Sequence, residues 1–264
     1  MFVSFPMYGA SDHADALAVW WRAIAGRLPA NLFADIPDAP SAPGATSERW
    51  RDPALLLSQT CGAPLVTELD DAVRVIGTPV YDAPNCDGHR YRSAVTVREE
   101  SGYETLADLA GARAAINEPG SYSGAYALRH ALLGIAEPGV SFFSDVIETG
   151  AHIESLAAVR DGAADCAAID CVTLTLARRD RPALLDGLTT LSRTQPVPGL
   201  PYITNGGASD DQVAALRAAV AGAVEDPTLA SVRRDLLLAG FVPTTRDDYE
   251  PVAAAIRSVE EVVL

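Results

Sequence analysis

The sequence contains no lysine, so all of its Lys/Arg positive charge comes from arginine. Lysine is the amine of pyridoxal-dependent enzymes and the phosphate-binding cation of P-loop nucleotide hydrolases, so both classes are excluded. Acidic residues outnumber basic ones, and the formal net charge is −15 at pH 7. Nucleic acid and anionic membrane surfaces require a basic face on the protein. We therefore expect neither as a partner.

Long apolar runs are also missing: no window reaches the roughly 18 uninterrupted apolar residues that a membrane span needs. We expect no membrane insertion. The amino terminus, MFVSFPMYG, lacks a basic region followed by an apolar one, which is the pattern of an export signal. Two locations therefore stay open. The protein is periplasmic if a leader has been removed, and cytoplasmic otherwise.

The four cysteines, Cys61, Cys86, Cys166 and Cys171, have no CxxC spacing, so we expect no structural zinc and no other metal site. A disulfide between Cys61 and Cys86 is one reading, because each follows the end of a predicted strand, and two reduced thiols is the other. No motif requires a cofactor, and none is expected.

Apolar runs alternate with helical patterns, which indicates an α/β fold with a parallel or mixed sheet flanked by helices. The predicted strands are Phe2–Pro6, Leu55–Gln59, Val73–Pro79, Ser93–Val97, Arg113–Ile116, Phe142–Ile147, Cys166–Ile169 and Pro201–Thr204. The predicted helices are Ala14–Leu28, Thr105–Leu109, Gly124–Leu133, His152–Asp161, Val172–Arg179, Asp210–Glu225, Ser231–Ala239 and Tyr249–Glu261. Residues 35–51 are rich in Pro, Ala and Ser and predict a surface loop rather than a linker.

The segment from Ile116 to Gly124 is predicted to run from a strand through a tight turn into a helix. Free backbone N–H groups and the helix dipole favour an anion there, and the hydroxyls of Ser121 and Ser123 add donors. A purely local role, with Ser123 capping the helix and Gly120 making the turn, is the alternative.

Further candidates lie at other predicted strand ends. His152 opens a helix after one strand and is a candidate donor to the anion, or a capping or solvent-facing residue. Asp170 ends another strand and either binds a ligand amine or hydroxyl, or caps the next helix. In the amino-terminal half, Tyr8 and Tyr81 are candidate pocket walls or core-edge aromatics, and Thr60 is a candidate donor.

The segments SYSGAYALRHALL, TGAHIESLAAVRDGAADCAAID and GLPYIT resemble the phosphonate-binding substrate-binding proteins of bacterial ABC importers. The resemblance runs over most of the chain. It implies a periplasmic-binding-protein type II fold: two Rossmann-like lobes with mixed β-sheets, two crossover segments and a ligand cleft between them. Residues 1–92 with 199–264 would form the amino-terminal lobe, and residues 93–198 the carboxy-terminal lobe. Segments 81–92 and 193–200 would be the crossovers.

The resemblance implies ligand contacts at Ser121, Ser123, Gly124 and His152, with Tyr122 standing where family members typically carry threonine. Tyr8 matches the pocket aromatic of the family. The expected function is capture of a small anionic ligand, a phosphonate, phosphate ester or related oxyanion, by a monomer that delivers it to an ABC permease. No catalysis is expected. The alternatives are a cytosolic enzyme on the same fold acting on a small carboxylated metabolite, and a ligand sensor.

Overall fold

The computed structural model describes residues 1–8, 12–42 and 47–264. The strands are β1 (Phe2–Ser4), β2 (Leu55–Gln59), β3 (Val73–Tyr81), β4 (Arg90–Tyr91), β5 (Ser93–Arg98), β6 (Arg113–Ile116), β7 (Asp145–Glu148), β8 (Cys166–Asp170), β9 (Leu188–Arg193), β10 (Val197–Pro198), β11 (Tyr202–Asn205) and β12 (Leu238–Val242).

The α-helices are α1 (Ala14–Ala25), α2 (Ser47–Trp50), α3 (Gly62–Thr67), α4 (Ala127–Ala131), α5 (His152–Arg160), α6 (Cys171–Asp180), α7 (Asp210–Glu225), α8 (Ala230–Asp235) and α9 (Glu250–Arg257). A π-helical turn, Tyr122–Tyr126, precedes α4. Short 3-10 helices occupy Asp70–Ala72, Glu99–Ser101, Leu106–Leu109, Pro182–Leu185, Pro227–Leu229 and Asp247–Tyr249.

The chain divides into two compact units. Unit 1 comprises Met1–Asp82, Asp87–Arg90 and Pro198–Glu250, and unit 2 comprises Ala83–Cys86, Tyr91–Val197 and Pro251–Leu264. The chain passes between the units inside both predicted crossover segments, and strands β4 and β10 of these segments pair with each other. A further passage, after Glu250, was not predicted.

Unit 1 contains a mixed five-stranded sheet in the order β1-β2-β11-β3-β12, in which β1 and β2 are parallel and the other pairs are antiparallel. Its core includes two fully buried tryptophans of α1, Trp20 and Trp21, packed with residues of β2, β3 and α7. A capping box between Ser209 and Gln212 starts α7 at the predicted residue, because each side chain accepts the backbone N–H of the other residue.

Unit 2 contains a second mixed sheet in the order β7-β6-β8-β5-β9, with β7, β6 and β8 parallel and the remaining pairs antiparallel. Alternate residues of its strands enter two different cores. Val95 and Val97 of β5 lie in one core, and Ala94 lies in the other. Because both faces are covered, the central strands are continuous apolar runs, which is the pattern from which they were predicted.

One ion cluster fixes the ends of β5 and β6 to the segment before β8. The Oδ1 of Asp165 forms salt bridges with Nη2 of Arg113 at 2.9 Å and with Nη2 of Arg98 at 3.1 Å. The hydrogen bond from Arg113 is the main cause that lowers the pKa of Asp165 to about 2. The aspartate of the GAAD segment is therefore part of the scaffold of unit 2.

The structure differs from the sequence expectations in two carboxy-terminal places. Helix α8 ends at Asp235, and Leu238–Val242 forms strand β12 against β3 instead of continuing the predicted helix Ser231–Ala239. Pairing with β3 overrides the helical pattern, and Leu237 breaks the helix with a φ of 54°. Residues 251–264 belong to unit 2 rather than to the predicted amino-terminal lobe, because Val259, Val262 and Leu264 pack into its core.

The structure also differs from the prediction at one strand start, at three strands and at one loop. Phe142 and Phe143 pack into the core of unit 2, so β7 begins only at Asp145. Strand β9 was not predicted, nor were the short strands β4 and β10. The predicted loop 35–51 ends in α2, which carries the buried Trp50, and its residues 43–46 lie outside the described part of the chain.

Candidate functional site

The turn after β6 is shaped by a serine cap and a close approach of the backbone. Ser121, rather than Ser123, caps the helical segment: its Oγ accepts the N–H of Gly124 at 3.2 Å. At Gly124 an added Cβ would lie 1.9 Å from Oδ1 of Asn117, so any larger residue requires the Asn117 side chain or the turn to shift. Gly120, in the same turn, has open space around it. The tight part of the turn is therefore at its helical end.

Ser123 and His152 lie in direct contact, although 29 residues separate them in the chain. The Oγ of Ser123 and the Nε2 of His152 are 2.8 Å apart. Ser123 is buried, and its carbonyl oxygen accepts a hydrogen bond from the hydroxyl of Ser93, the first residue of β5, at 2.9 Å. The structure thus brings together two predicted site residues and fixes one of them through a third, unpredicted serine.

The loop between β7 and α5 is held against the turn after β6. The N–H of Gly150 donates to the carbonyl of Asn117 at 2.7 Å, and the N–H of Thr149 donates to that of Ile116 at 2.9 Å. Gly150 has a φ of 82°, a conformation that favours glycine. These bonds place the first residue of α5, His152, beside the turn.

Burial lowers the pKa of His152 from 6.5 to about 4, and the backbone of Ala168 offsets only part of that shift. The residue keeps part of its surface exposed, but its Nδ1 is enclosed and has no hydrogen-bond partner of good geometry among the described residues. At neutral pH the imidazole is therefore uncharged. It carries one N–H and one lone pair, and a neighbouring anion would favour the protonated form.

Asp170 caps α6, which is one of the two roles predicted for it. Its Oδ1 accepts the backbone N–H groups of Val172 at 2.7 Å and Thr173 at 3.0 Å, and the residue is buried. Asp170 also pairs with Ser93 across β8 and β5. Its position therefore lies at the same edge of the sheet as Ser123. Tyr122, the residue between the two serines of the turn, is buried as well.

In unit 1 the predicted aromatics contact each other. The rings of Tyr8 and Tyr81 meet edge to face, with centroids 4.8 Å apart. Tyr8 has a φ of 54°, which is unusual for a residue with a side chain. The Oη of Tyr81 accepts a hydrogen bond from Nε2 of Gln59 at 3.0 Å, and the same amide also donates to the carbonyl of Leu200. Gln59 was not among the sequence candidates, although a polar residue ending an apolar strand is a usable signal.

Thr60 does not offer the donors that were predicted. It is fully buried, its N–H donates to the carbonyl of Pro201 at 3.1 Å, and its hydroxyl donates to the carbonyl of Cys61 at 3.3 Å. Both of its donors are therefore used within unit 1.

Arg92 was not among the sequence candidates either. Its Nε is buried and has no hydrogen-bond partner in the described part of the chain. It immediately precedes β5, whose first residue bonds the carbonyl of Ser123. A guanidinium nitrogen without a partner is costly to bury, and an anion would satisfy it.

Residues 55–249 match the family described as ABC transporter, phosphonate, periplasmic substrate-binding protein. The match covers most of the chain, including every strand from β2 to β12. The chain belongs to this family. No curated protein matches the sequence significantly.

Solved structures confirm the predicted fold class of this family member. PhnD1 from Prochlorococcus marinus, in complex with methylphosphonate, has a TM-score of 0.77 and 14% identity, over 99% of this chain and 98% of that one. A phosphonate-transporter binding protein from Pseudomonas aeruginosa has a TM-score of 0.75 and 14% identity, over 97% and 84%. A Xanthomonas citri protein bound to ATP has a TM-score of 0.71 and 16% identity, over 100% and 99%.

Neither a membrane-spanning helix nor a candidate metal-binding cluster occurs among the described residues. No helix among them is both long and apolar enough to cross a membrane. Across residues 1–8, 12–42 and 47–264 there is no group of three or more His, Cys, Asp or Glu side chains arranged to hold a metal ion.

Proposed function

We propose that the protein is a periplasmic solute-binding component that captures a small ligand carrying a tetrahedral phosphorus oxyanion, a phosphonate or a phosphate ester, for import through an ABC permease. The observation that carries the proposal is the contact of Ser123 with His152 at the carboxyl edge of the sheet of unit 2. Family membership supports the transport role.

The chemistry of this edge suits an oxyanion. Hydroxyls of Ser121 and Ser123 and the backbone N–H groups at the start of the helical segment are donors of the kind that phosphate oxygens accept. The low pKa of His152 leaves its imidazole neutral when no ligand is bound. An adjacent dianion would raise that pKa, so that the imidazole takes up a proton and donates a hydrogen bond to the ligand. Arg92 supplies a fixed positive charge. Local donors must do this work, because the net charge of −15 repels anions at long range.

The ligands of two proteins of the same fold support the chemical class. The Prochlorococcus marinus protein holds methylphosphonate, and the Xanthomonas citri protein holds ATP. Both molecules carry a phosphorus atom bearing several anionic oxygens. The proposed ligand contacts in unit 2 are Ser121, Tyr122, Ser123, Gly124 and His152. For Tyr8 and Tyr81 in unit 1, contact with a ligand stays a prediction from the sequence. Asp170 positions α6, and Thr60 acts within its own unit.

An enzyme is the second candidate, because a serine hydroxyl beside a histidine nitrogen is also the first element of nucleophilic catalysis. Two observations favour binding instead. The Nδ1 of His152 has no hydrogen bond to a carboxylate among the described residues. In catalytic serine–histidine pairs such a carboxylate orients the imidazole. A histidine whose pKa is about 4 is a weak base at neutral pH.

The test is a thermal-shift panel of methylphosphonate, inorganic phosphate, a phosphate monoester, ATP, methanesulfonate and acetate, with each compound followed by phosphorus or proton NMR. A phosphonate or phosphate ligand at 100 times its Kd should stabilise the protein by about 2.7 kcal/mol and remain chemically unchanged. The variant S123A/H152Q should lose this shift while keeping the melting temperature of the free wild type within a few degrees.

The matched control is His130→Gln, which replaces a partly buried histidine of α4. It should keep the ligand-induced shift. A shift with acetate alone would overturn the proposed ligand class. Consumption of the stabilising compound would overturn the binding role in favour of the enzyme.

A further inference from the structure

Two cysteines that lie far apart in the chain meet in unit 2. The sulfur atoms of Cys86 and Cys171 are 3.5 Å apart, and 85 positions separate the residues. Both are free thiols in this structure. The disulfide considered from the sequence, Cys61 with Cys86, is not formed. Cys61 belongs to unit 1, and the neighbour of Cys86 is Cys171.

The backbone holds both cysteines in defined turns. Cys171 is the first residue of α6, and its N–H donates to the carbonyl of Arg92 at 3.1 Å. Cys86 closes a turn by donating to the carbonyl of Ala83 at 3.0 Å, next to Asn85 with its φ of 74°. The backbone therefore fixes the positions from which the two side chains approach each other.

The two thiols differ in access to solvent. Cys86 is partly exposed, whereas Cys171 is buried. Contact with the Cys86 sulfur, burial and the charge of Asp170 all raise the pKa of the Cys171 thiol. An external oxidant therefore reaches Cys86 first. Cys166, by contrast, is wholly buried in β8, and burial raises the pKa of its thiol to about 12.

We propose that Cys86 and Cys171 are a redox modification site, and that they form an intramolecular disulfide when the protein meets a disulfide-containing oxidant. The oxidising environment in which members of this family work would supply that oxidant. The proposal needs no ligand and is independent of the identity of the anion.

The reaction is thiol–disulfide exchange in two steps. The thiolate of Cys86 attacks one sulfur of the external disulfide, a mixed disulfide forms, and one external thiolate leaves. The thiolate of Cys171 then attacks the sulfur of Cys86, and the second external thiolate leaves. Two electrons and two protons pass from the cysteines to the oxidant, which ends as two thiols. The second step should be faster at alkaline pH, because it needs the thiolate of Cys171.

The experiment treats the folded full chain with oxidised glutathione, blocks the remaining thiols with iodoacetamide, and maps the peptides by mass spectrometry without reductant. The expected product is a cross-linked pair of peptides containing Cys86 and Cys171, with Cys61 and Cys166 alkylated after unfolding. Closing a loop of this length should raise the melting temperature by roughly 5 to 10 °C, and dithiothreitol should reverse the rise.

Cys86→Ser is the decisive variant, because the residue is partly exposed and its replacement should leave the fold intact. It should abolish both the cross-link and the rise in melting temperature, while Cys166→Ala and Cys61→Ser should abolish neither. Two results would overturn the proposal: alkylation of both Cys86 and Cys171 in the oxidised native protein, or a cross-link that joins Cys86 to Cys61.

Discussion

The strand-end loops of the two units are built in different ways. In unit 2, hydrogen bonds between loops fix the polar groups: Gly150 bonds to Asn117, and Ser123 bonds to both Ser93 and His152. In unit 1, the corresponding position is held by an edge-to-face pair of tyrosine rings and one glutamine amide. Hydrogen bonds impose direction, whereas ring packing tolerates small changes. Small chemical changes should therefore damage unit 2 more than unit 1.

The largest expected effect comes from Gly124→Ala in unit 2. The new Cβ would lie 1.9 Å from Oδ1 of Asn117, so the Asn117 side chain or the turn must move. We expect a loss of about 2 kcal/mol in the free energy of unfolding and at least a tenfold weaker affinity for methylphosphonate. Denaturant titration and calorimetry measure the two quantities.

Gly120→Ala is the matched control for this substitution. The glycine lies in the same turn with open space around it, and its φ is not positive. The free energy of unfolding should change by less than about 0.5 kcal/mol. Equal damage from both substitutions would show that the turn is sensitive to any side chain, and not to the contact with Asn117.

A smaller effect should appear as pH is lowered, and it isolates His152. The folded protein holds the pKa of this residue at about 4, against 6.5 in the unfolded chain. Between these values the unfolded state binds more protons, so this histidine makes stability fall as pH decreases from 6.5 to 4. The fall should amount to about 2 kcal/mol, allowing for the part of the ring that solvent reaches.

Thermal unfolding of the wild type and of His152→Gln across this pH range measures that contribution. The wild type should lose stability relative to His152→Gln as pH falls from 6.5 to 4, and the relative stability of the two proteins should be constant above pH 6.5. Parallel curves for the two proteins would mean that His152 titrates normally and that its burial is too slight to matter.

The smallest effect is expected in unit 1, at Tyr81. Tyr81→Phe keeps the ring contact with Tyr8 and removes the acceptor for Gln59. Ligand affinity should fall about twofold, which corresponds to roughly 0.5 kcal/mol. Tyr81→Ala, which removes the ring, should cost clearly more in the same calorimetric titration. Equal losses in the two variants would mean that the hydroxyl, and not the ring, is the important group.

The sequence predicts those parts of the fold that local chemistry determines. Helix α7 and strands β2 and β6 begin and end where expected, because a capping box and apolar runs define them locally. Strand β12 escapes prediction because its partner β3 lies about 160 residues earlier in the chain, and the docking of residues 251–264 on unit 2 depends on a core built by other segments.

In the candidate site, too, local features are predicted from the sequence and contacts between distant segments are not. A strand end followed by a helix start is visible in the sequence at both Ser121 and His152. The contact between Ser123 and His152, the inward-facing donors of Thr60 and the approach of Cys86 to Cys171 depend on how distant segments meet, which no local pattern encodes. The domain boundary after Glu250 is of the same kind.

All three tryptophans of the chain, Trp20, Trp21 and Trp50, lie buried in unit 1. The indole of Trp20 donates to the hydroxyl of Tyr202, and that of Trp50 donates to Ser58, so their surroundings are set by the core of that unit. Intrinsic fluorescence is therefore a local probe. Excited at the red edge of the indole band, the protein emits light from unit 1 alone, and occupancy of the serine–histidine edge in unit 2 needs a reporter of its own.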